Sequence, residues 1–167
     1  SGVGDQGYGL GVCAADYNND GHVDLYVTNF GPNVLFRNEG NGTFTDVTDQ
    51  AGVGDPRMST SAAFADYDGD GYVDLYVANN AHVPMDNPKK CRHGVVPVYC
   101  GPGQYEGVSG SLYHNEGDGT FTDVTRQAGV YDESGRQLGV VFSDYDQDGD
   151  ADLYIANDTK PNWLFRN

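Results

Sequence analysis

Three stretches share one acidic frame, which constrains this chain more than any other feature: DYNNDGHVDLYV from Asp16, DYDGDGYVDLYV from Asp66 and DYDQDGDADLYI from Asp144. They begin 50 and then 78 residues apart. A second block follows the first two copies, FRNEGNGTFTDVTDQAGV from Phe36 and YHNEGDGTFTDVTRQAGV from Tyr113. Frame and block are 20 residues apart in the first copy and 47 in the second, so the second carries an insertion, roughly 81–107. The third copy runs to Trp163–Asn167, where its own NEGxGTFTDVT block would begin. Self-similarity at this period is the signature of a repeat architecture, in which each unit buries its apolar face against the next.

Each unit reads as short strands separated by turns. In the first, 11–15 is a strand of small residues, 16–24 a loop, and 25–29, 34–37 and 43–47 are further strands, with an Asn-Gly pair in the hairpin between the last two. No segment keeps an apolar period of 3.6 beyond two turns; 47–51 and 124–128 allow a short turn at most. Four short strands per unit of about 50 residues is the pattern of a β-propeller blade. The expectation is one all-β repeat domain over 1–167, with blades at 9–57, 58–133 and 134–167, the last incomplete. Closed propellers need about four blades or more. About 2.7 repeats therefore read as an incomplete propeller or a fragment, completed by further chain or by assembly, with an open strand edge available for self-association.

The acidic frame has the spacing D-x-[DN]-x-D-G-x-x-D. Oxygen side chains at positions 1, 3, 5 and 9, a carbonyl at 7 and a glycine at 6 for the sharp turn can wrap one hard cation. The candidate ligands are Asp16, Asn18, Asp20 and Asp24 with the carbonyl of His22; Asp66, Asp68, Asp70 and Asp74 with that of Tyr72; and Asp144, Asp146, Asp148 and Asp152 with that of Asp150. Calcium takes six to eight such oxygens in loose geometry, whereas magnesium retains water in a stricter one. With no Cys or His side chain at a ligand position, zinc and copper do not fit. Three Ca2+ ions are expected. The formal charge is -16, with 25 acidic residues against 9 Lys and Arg, and three divalent ions would bring it to -10. Without them the clustered carboxylates oppose folding.

The same acidity excludes a nucleic-acid partner, since a phosphate backbone selects basic surfaces. The 12 Tyr and 7 Phe argue against a disordered acidic chain. No apolar run is long enough to span a membrane. No basic-then-apolar leader is visible, which fits a cytoplasmic chain or a mature exported one. Cys91 and Cys100, close together in a Pro/Gly-rich segment, predict a local disulfide and hence an oxidising compartment. Cys13 reads as a small buried hydrophobe.

The approach Gly9–Asp16, the DxDxDGxxDLYVxN runs and the LFRNEGxGTFTDVTxxAGV blocks resemble the FG-GAP or VCBS repeat family of integrin alpha-chain propellers. They resemble still more closely the acidic proteins of cartilage-acidic-protein type that carry ASPIC/UnbV segments. CRHGVVPVYCGPG, at 91–103, is similar to an insertion in the bacterial members. The resemblance implies a secreted or cell-surface protein, seven blades when complete, and calcium in loops on one face. The chain departs from the pattern in its low repeat number and in lacking the ASPIC/UnbV segment.

The insertion holds His82, Met85, Lys89, Lys90, Arg92, His93 and Tyr99 and reads either as a partner contact or as a disulfide-pinned cover. Leu25, Leu75 and Leu153, Tyr26, Tyr76 and Tyr154, and Phe36, Tyr113 and Phe165 recur in register and read as core; Trp163 stands where the first repeat has Val34. His114, where the first repeat has Arg37, reads as surface. Asn41 and Asn157 fit the glycosylation acceptor pattern. No unpaired acid and base and no Gly-rich phosphate loop support catalysis. The function expected is a non-catalytic, extracellular, calcium-binding recognition module for a protein or glycan. The alternatives are a calcium-stabilised subunit of a filament or surface layer and, more weakly, an accessory domain of a secreted enzyme.

Overall fold

The computed structural model describes residues 2–84, 86 and 89–167; Met85 lies outside them. Strands dominate. The first blade is a three-stranded antiparallel sheet of β1 (Tyr8–Ala15), β2 (Asp24–Asn38) and β3 (Phe44–Asp46), followed by a single helical turn, α1 (Thr48–Ala51). The second blade orders β4 (Ser59–Ala65), β5 (Asp74–Asn79), β8 (Ser111–Asn115) and β9 (Phe121–Asp123). The third orders β10 (Gln137–Ser143), β11 (Asp152–Asn157) and β12 (Trp163–Phe165). Among the described residues the protein is thus nearly all-β, with no closed barrel, consistent with an incomplete propeller.

Two separate strands were expected across 25–37, but the chain there is one continuous strand. It pairs with β1 through residue 30 and with β3 from residue 36, and it bends at Gly31, whose φ of 107° is open to glycine and strained for other residues. Blades two and three split the same path into β5 and β8, and into β11 and β12.

The core lies between the blades rather than within them. One cluster joins Tyr17, Tyr26, Leu35 and Val53 of the first repeat to Ala62, Leu75, Val77 and Tyr113 of the second. Another joins Tyr76, Leu112 and Val130 to Leu153 and Ile155, with Trp163 and Phe165 packed on its margin. The leading strands β1, β4 and β10 lie side by side, and the small residues of β1 and β4 allow the first two to approach. Blade faces therefore stack as in other repeat proteins, where each unit is stabilised by its neighbour.

Within the insertion, β6 (Cys91–His93) pairs with β7 (Val96–Val98) in a two-stranded hairpin. The Cys91–Cys100 disulfide is formed, and a bridge between Ala81 and Gly107 closes the base of the excursion. Arg92, His93 and Tyr99 are exposed on it.

Candidate metal centres

Each acidic loop joins the first strand of its blade to the second. Two residues per loop take left-handed backbone: position 4 (Asn19, Gly69 and Gln147, with φ of 56°, 76° and 64°) and the glycine at position 6 (Gly21, Gly71 and Gly149, with φ of 88°, 93° and 102°). These turns coil the chain around its own carboxylates. In the first loop, Asp16 accepts the backbone N–H of Asp20 at 3.0 Å and of Gly21 at 2.8 Å. In the second, Asp66 accepts those of Gly69, Asp70 and Gly71, and in the third Asp144 accepts those of Asp148 and Gly149. His22, Tyr72 and Asp150, assigned above through their carbonyls, point their own N–H at the position-5 carboxylates of Asp20, Asp70 and Asp148.

The carboxylates converge. Single oxygens of Asp66, Asp68 and Asp70 all lie within 4.8 Å of one another, as do those of Asp144, Asp146 and Asp152. In the first loop Asn18 donates its amide to Asp20 at 2.9 Å, a bond that holds the Asp20 carboxyl below its usual range. Like charges this close attract a cation. The donor set is oxygen throughout the three loops, and Asp146 Oδ1 has no hydrogen-bond partner. Such a set fits a hard divalent cation.

The position-9 aspartates behave differently from the rest. Asp24, Asp74 and Asp152 are buried, while the other loop carboxylates are half-buried or exposed. Each accepts two backbone N–H groups with its two oxygens. One comes from position 2 of its own loop: Tyr17 at 3.2 Å, Tyr67 at 3.1 Å and Tyr145 at 3.1 Å. The other comes from the asparagine that closes the aromatic-basic-Asn triplet: Asn38 at 2.7 Å, Asn115 at 2.8 Å and Asn167 at 2.9 Å. Burial raises the Asp24 and Asp74 carboxyls above their ordinary value, and these backbone bonds oppose the rise. The asparagine side chains extend the tie between blades: Asn115 Nδ2 donates to Tyr17 O at 2.8 Å, and Asn167 Nδ2 donates to Tyr67 O. Sequence reasoning missed these asparagines, although their recurrence in FRN, YHN and FRN was visible.

His114 is not the free surface residue expected. Its Nδ1 lies 3.1 Å from Asp74 Oδ1 and 3.2 Å from Asp68 Oδ2. The basic residue at this repeat position stands over the loop in the third blade as well, where Arg166 bridges Asp146 at 2.8 Å and Asp148 at 3.0 Å and lowers the Asp148 carboxyl. Arg37 instead pairs with Glu39 at 2.9 Å. The mismatch with expectation arises because β8 follows the insertion, so the partners of His114 are some 40 residues away in sequence.

Stacked antiparallel blades, each with an acidic loop at its first turn, define a repeat-blade protein. The chain belongs to the FG-GAP-like repeat family, whose model matches residues 4–77 and 98–167. Members of this family are modules typical of extracellular recognition. Among curated proteins, cartilage acidic protein 1 of Homo sapiens is 41% identical over 54 residues, 32% of this chain and 8% of that protein. Its counterpart in Mus musculus is 39% identical over a stretch of the same length. The match thus spans a small part of those relatives.

Proposed function

We propose that this chain is an extracellular, non-catalytic recognition module whose three acidic loops bind calcium, one ion each, through the side chains and carbonyls named above. The observation that carries the reading is the repeated loop geometry: left-handed residues at positions 4 and 6 coil all three acidic loops in the same way, and carboxylate oxygens converge in the second and third. Membership of the FG-GAP-like family supports it. The disulfide supports an oxidising, extracellular setting. Among the described residues no helix is long and apolar enough to cross a membrane. The surface proposed to meet a protein or glycan is the hairpin insertion, where Arg92, His93 and Tyr99 project from an otherwise acidic molecule.

Self-association into a filament or surface layer is the second reading, favoured by the exposed apolar residues Tyr8, Leu10 and Val12 on the leading strand of the first blade. Light scattering with calcium and again after chelation separates the two. A monomer that calcium stabilises supports the recognition module, and calcium-dependent oligomers support the assembly subunit. Indifference of mass and melting temperature to calcium would defeat both.

A further inference from the structure

Among the described residues, three groups of acidic or imidazole side chains converge closely enough to hold an ion, and one of them carries a nitrogen donor: Asp68, Asp74 and His114. The sequence frame offers oxygen alone, which excludes zinc and copper from it; the fold adds an imidazole to the second loop from β8, across the insertion. His114 Nδ1 lies 3.1 Å from Asp74 Oδ1 and 3.2 Å from Asp68 Oδ2, and one donor atom from each of the three side chains lies within 4.8 Å of the others. Ligand atoms held about 2.0–2.2 Å from one ion stand about 2.8–3.6 Å apart at octahedral to tetrahedral angles. Both nitrogen–oxygen separations therefore match a shared cation. Asp68, the exposed member, has room to shorten the edge between the two carboxylates.

Strand structure, not the loop, holds the imidazole in place. His114 pairs with Thr122 of β9, and the next residue, Asn115, donates its N–H to the same Asp74 Oδ1 at 2.8 Å and its side-chain amide to Val73 O at 3.0 Å. The Tyr67 ring meets the imidazole edge to face, with centroids 6.4 Å apart. Asp74 is fully buried. Donors fixed by such supporting contacts are what a selective metal site needs. A single Nδ1–H facing two carboxylates satisfies neither fully. With the ring proton on Nε2 instead, Nδ1 offers a lone pair, and one cation serves all three groups.

Among the described residues the other two loops lack this donor. Arg166 stands over the third loop, 2.8 Å from Asp146 and 3.0 Å from Asp148, and Arg37 is taken by Glu39. A guanidinium stays charged and has no lone pair to give. We propose that the second loop, alone of the three, is a site for a borderline divalent cation of the zinc and cobalt class, bound by His114 Nδ1, Asp68 and Asp74 with water completing the shell. Imidazole suits such ions, whereas calcium takes oxygen. The site goes beyond the calcium reading and stands without it; because Asp68 and Asp74 are shared, the two ions compete where both are present.

Co2+ is the probe, added to the full chain with and without saturating calcium and read by visible absorption and by paramagnetic broadening of the histidine ring protons. Of the 4 His, His114 is expected to broaden first. His114→Asn leaves an oxygen donor, and His114→Arg places there the residue type of the first and third blades. Each is expected to lose at least about tenfold in Co2+ affinity, since the supporting contacts of a metal ligand alone are worth about ten- to a hundredfold. Zn2+ should displace the bound Co2+. Retained Co2+ affinity in both variants would overturn the proposal, as would first broadening at His22, His82 or His93, or no uptake at millimolar Co2+. Cobalt at His114 in a chain that takes up no calcium would support this site and sink the calcium reading, and calcium uptake without cobalt at His114 would do the reverse.

Discussion

Asp74 accepts the backbone N–H of Asn115 at 2.8 Å across 41 residues of sequence, so a loop residue that reads as a cation ligand also fastens β8 to β5. Its other oxygen holds Tyr67 N–H. Replacing it by asparagine keeps the shape but turns one acceptor into a donor facing a buried N–H. Asp74→Asn is therefore expected to lower stability by about 1–3 kcal/mol even in the presence of chelator. Urea unfolding without divalent ions checks this; wild-type stability would mean that the carboxylate acts through a cation alone.

The outward carboxylates separate from this structural role. Asp70 bonds only backbone N–H groups within its own loop environment and is exposed. Asp70→Ala is expected to remove one calcium equivalent by isothermal titration while leaving the apo protein's melting temperature nearly unchanged. Unchanged stoichiometry would sink the assignment of the second loop.

Arg166 lends its charge to Asp146 and Asp148. Arg166→Ala is expected to raise the affinity of the third loop for a divalent cation and leave the first loop untouched, because Arg37 there is engaged by Glu39. Terbium luminescence titration resolves the sites. A weaker third site would show that the guanidinium supports cation binding rather than competing with it.

Burial pushes the Cys13 thiol up to about 12 from an ordinary value of 9.0. The folded state therefore holds its proton more tightly than the unfolded one. The stability this contributes is full below pH 9 and is lost as pH rises toward 12. At pH 8, maleimide should leave Cys13 unlabelled until the protein unfolds, and Cys91 and Cys100 until they are reduced. Cys13 is half-buried, and its immediate labelling in folded protein would contradict the desolvation that raises its pKa.

The acidic loops, the all-β character and the Cys91–Cys100 pair were legible because each depends on residues a few positions apart. Asp16 to Asp24 and Cys91 to Cys100 both span fewer than a dozen residues. His114 was misread because Asp68 and Asp74 reach it only once the insertion has been spanned. Tyr154 read as core by analogy with Tyr26 and Tyr76, yet it is half-exposed; Tyr26 is covered by Val53 and Phe64, residues distant from its own strand in sequence. The bend at Gly31 was hidden for the opposite reason: Gly-Pro reads as a turn between strands, while the backbone there curves and keeps its strand character.

Calcium stoichiometry, counted by native mass spectrometry of the full chain as free calcium is raised, tests the central claim most directly. The loops predict three ions per chain, with Asp20→Ala, Asp70→Ala and Asp148→Ala each removing one. A chain that binds none at millimolar calcium, or that retains all three after these substitutions, would contradict the account.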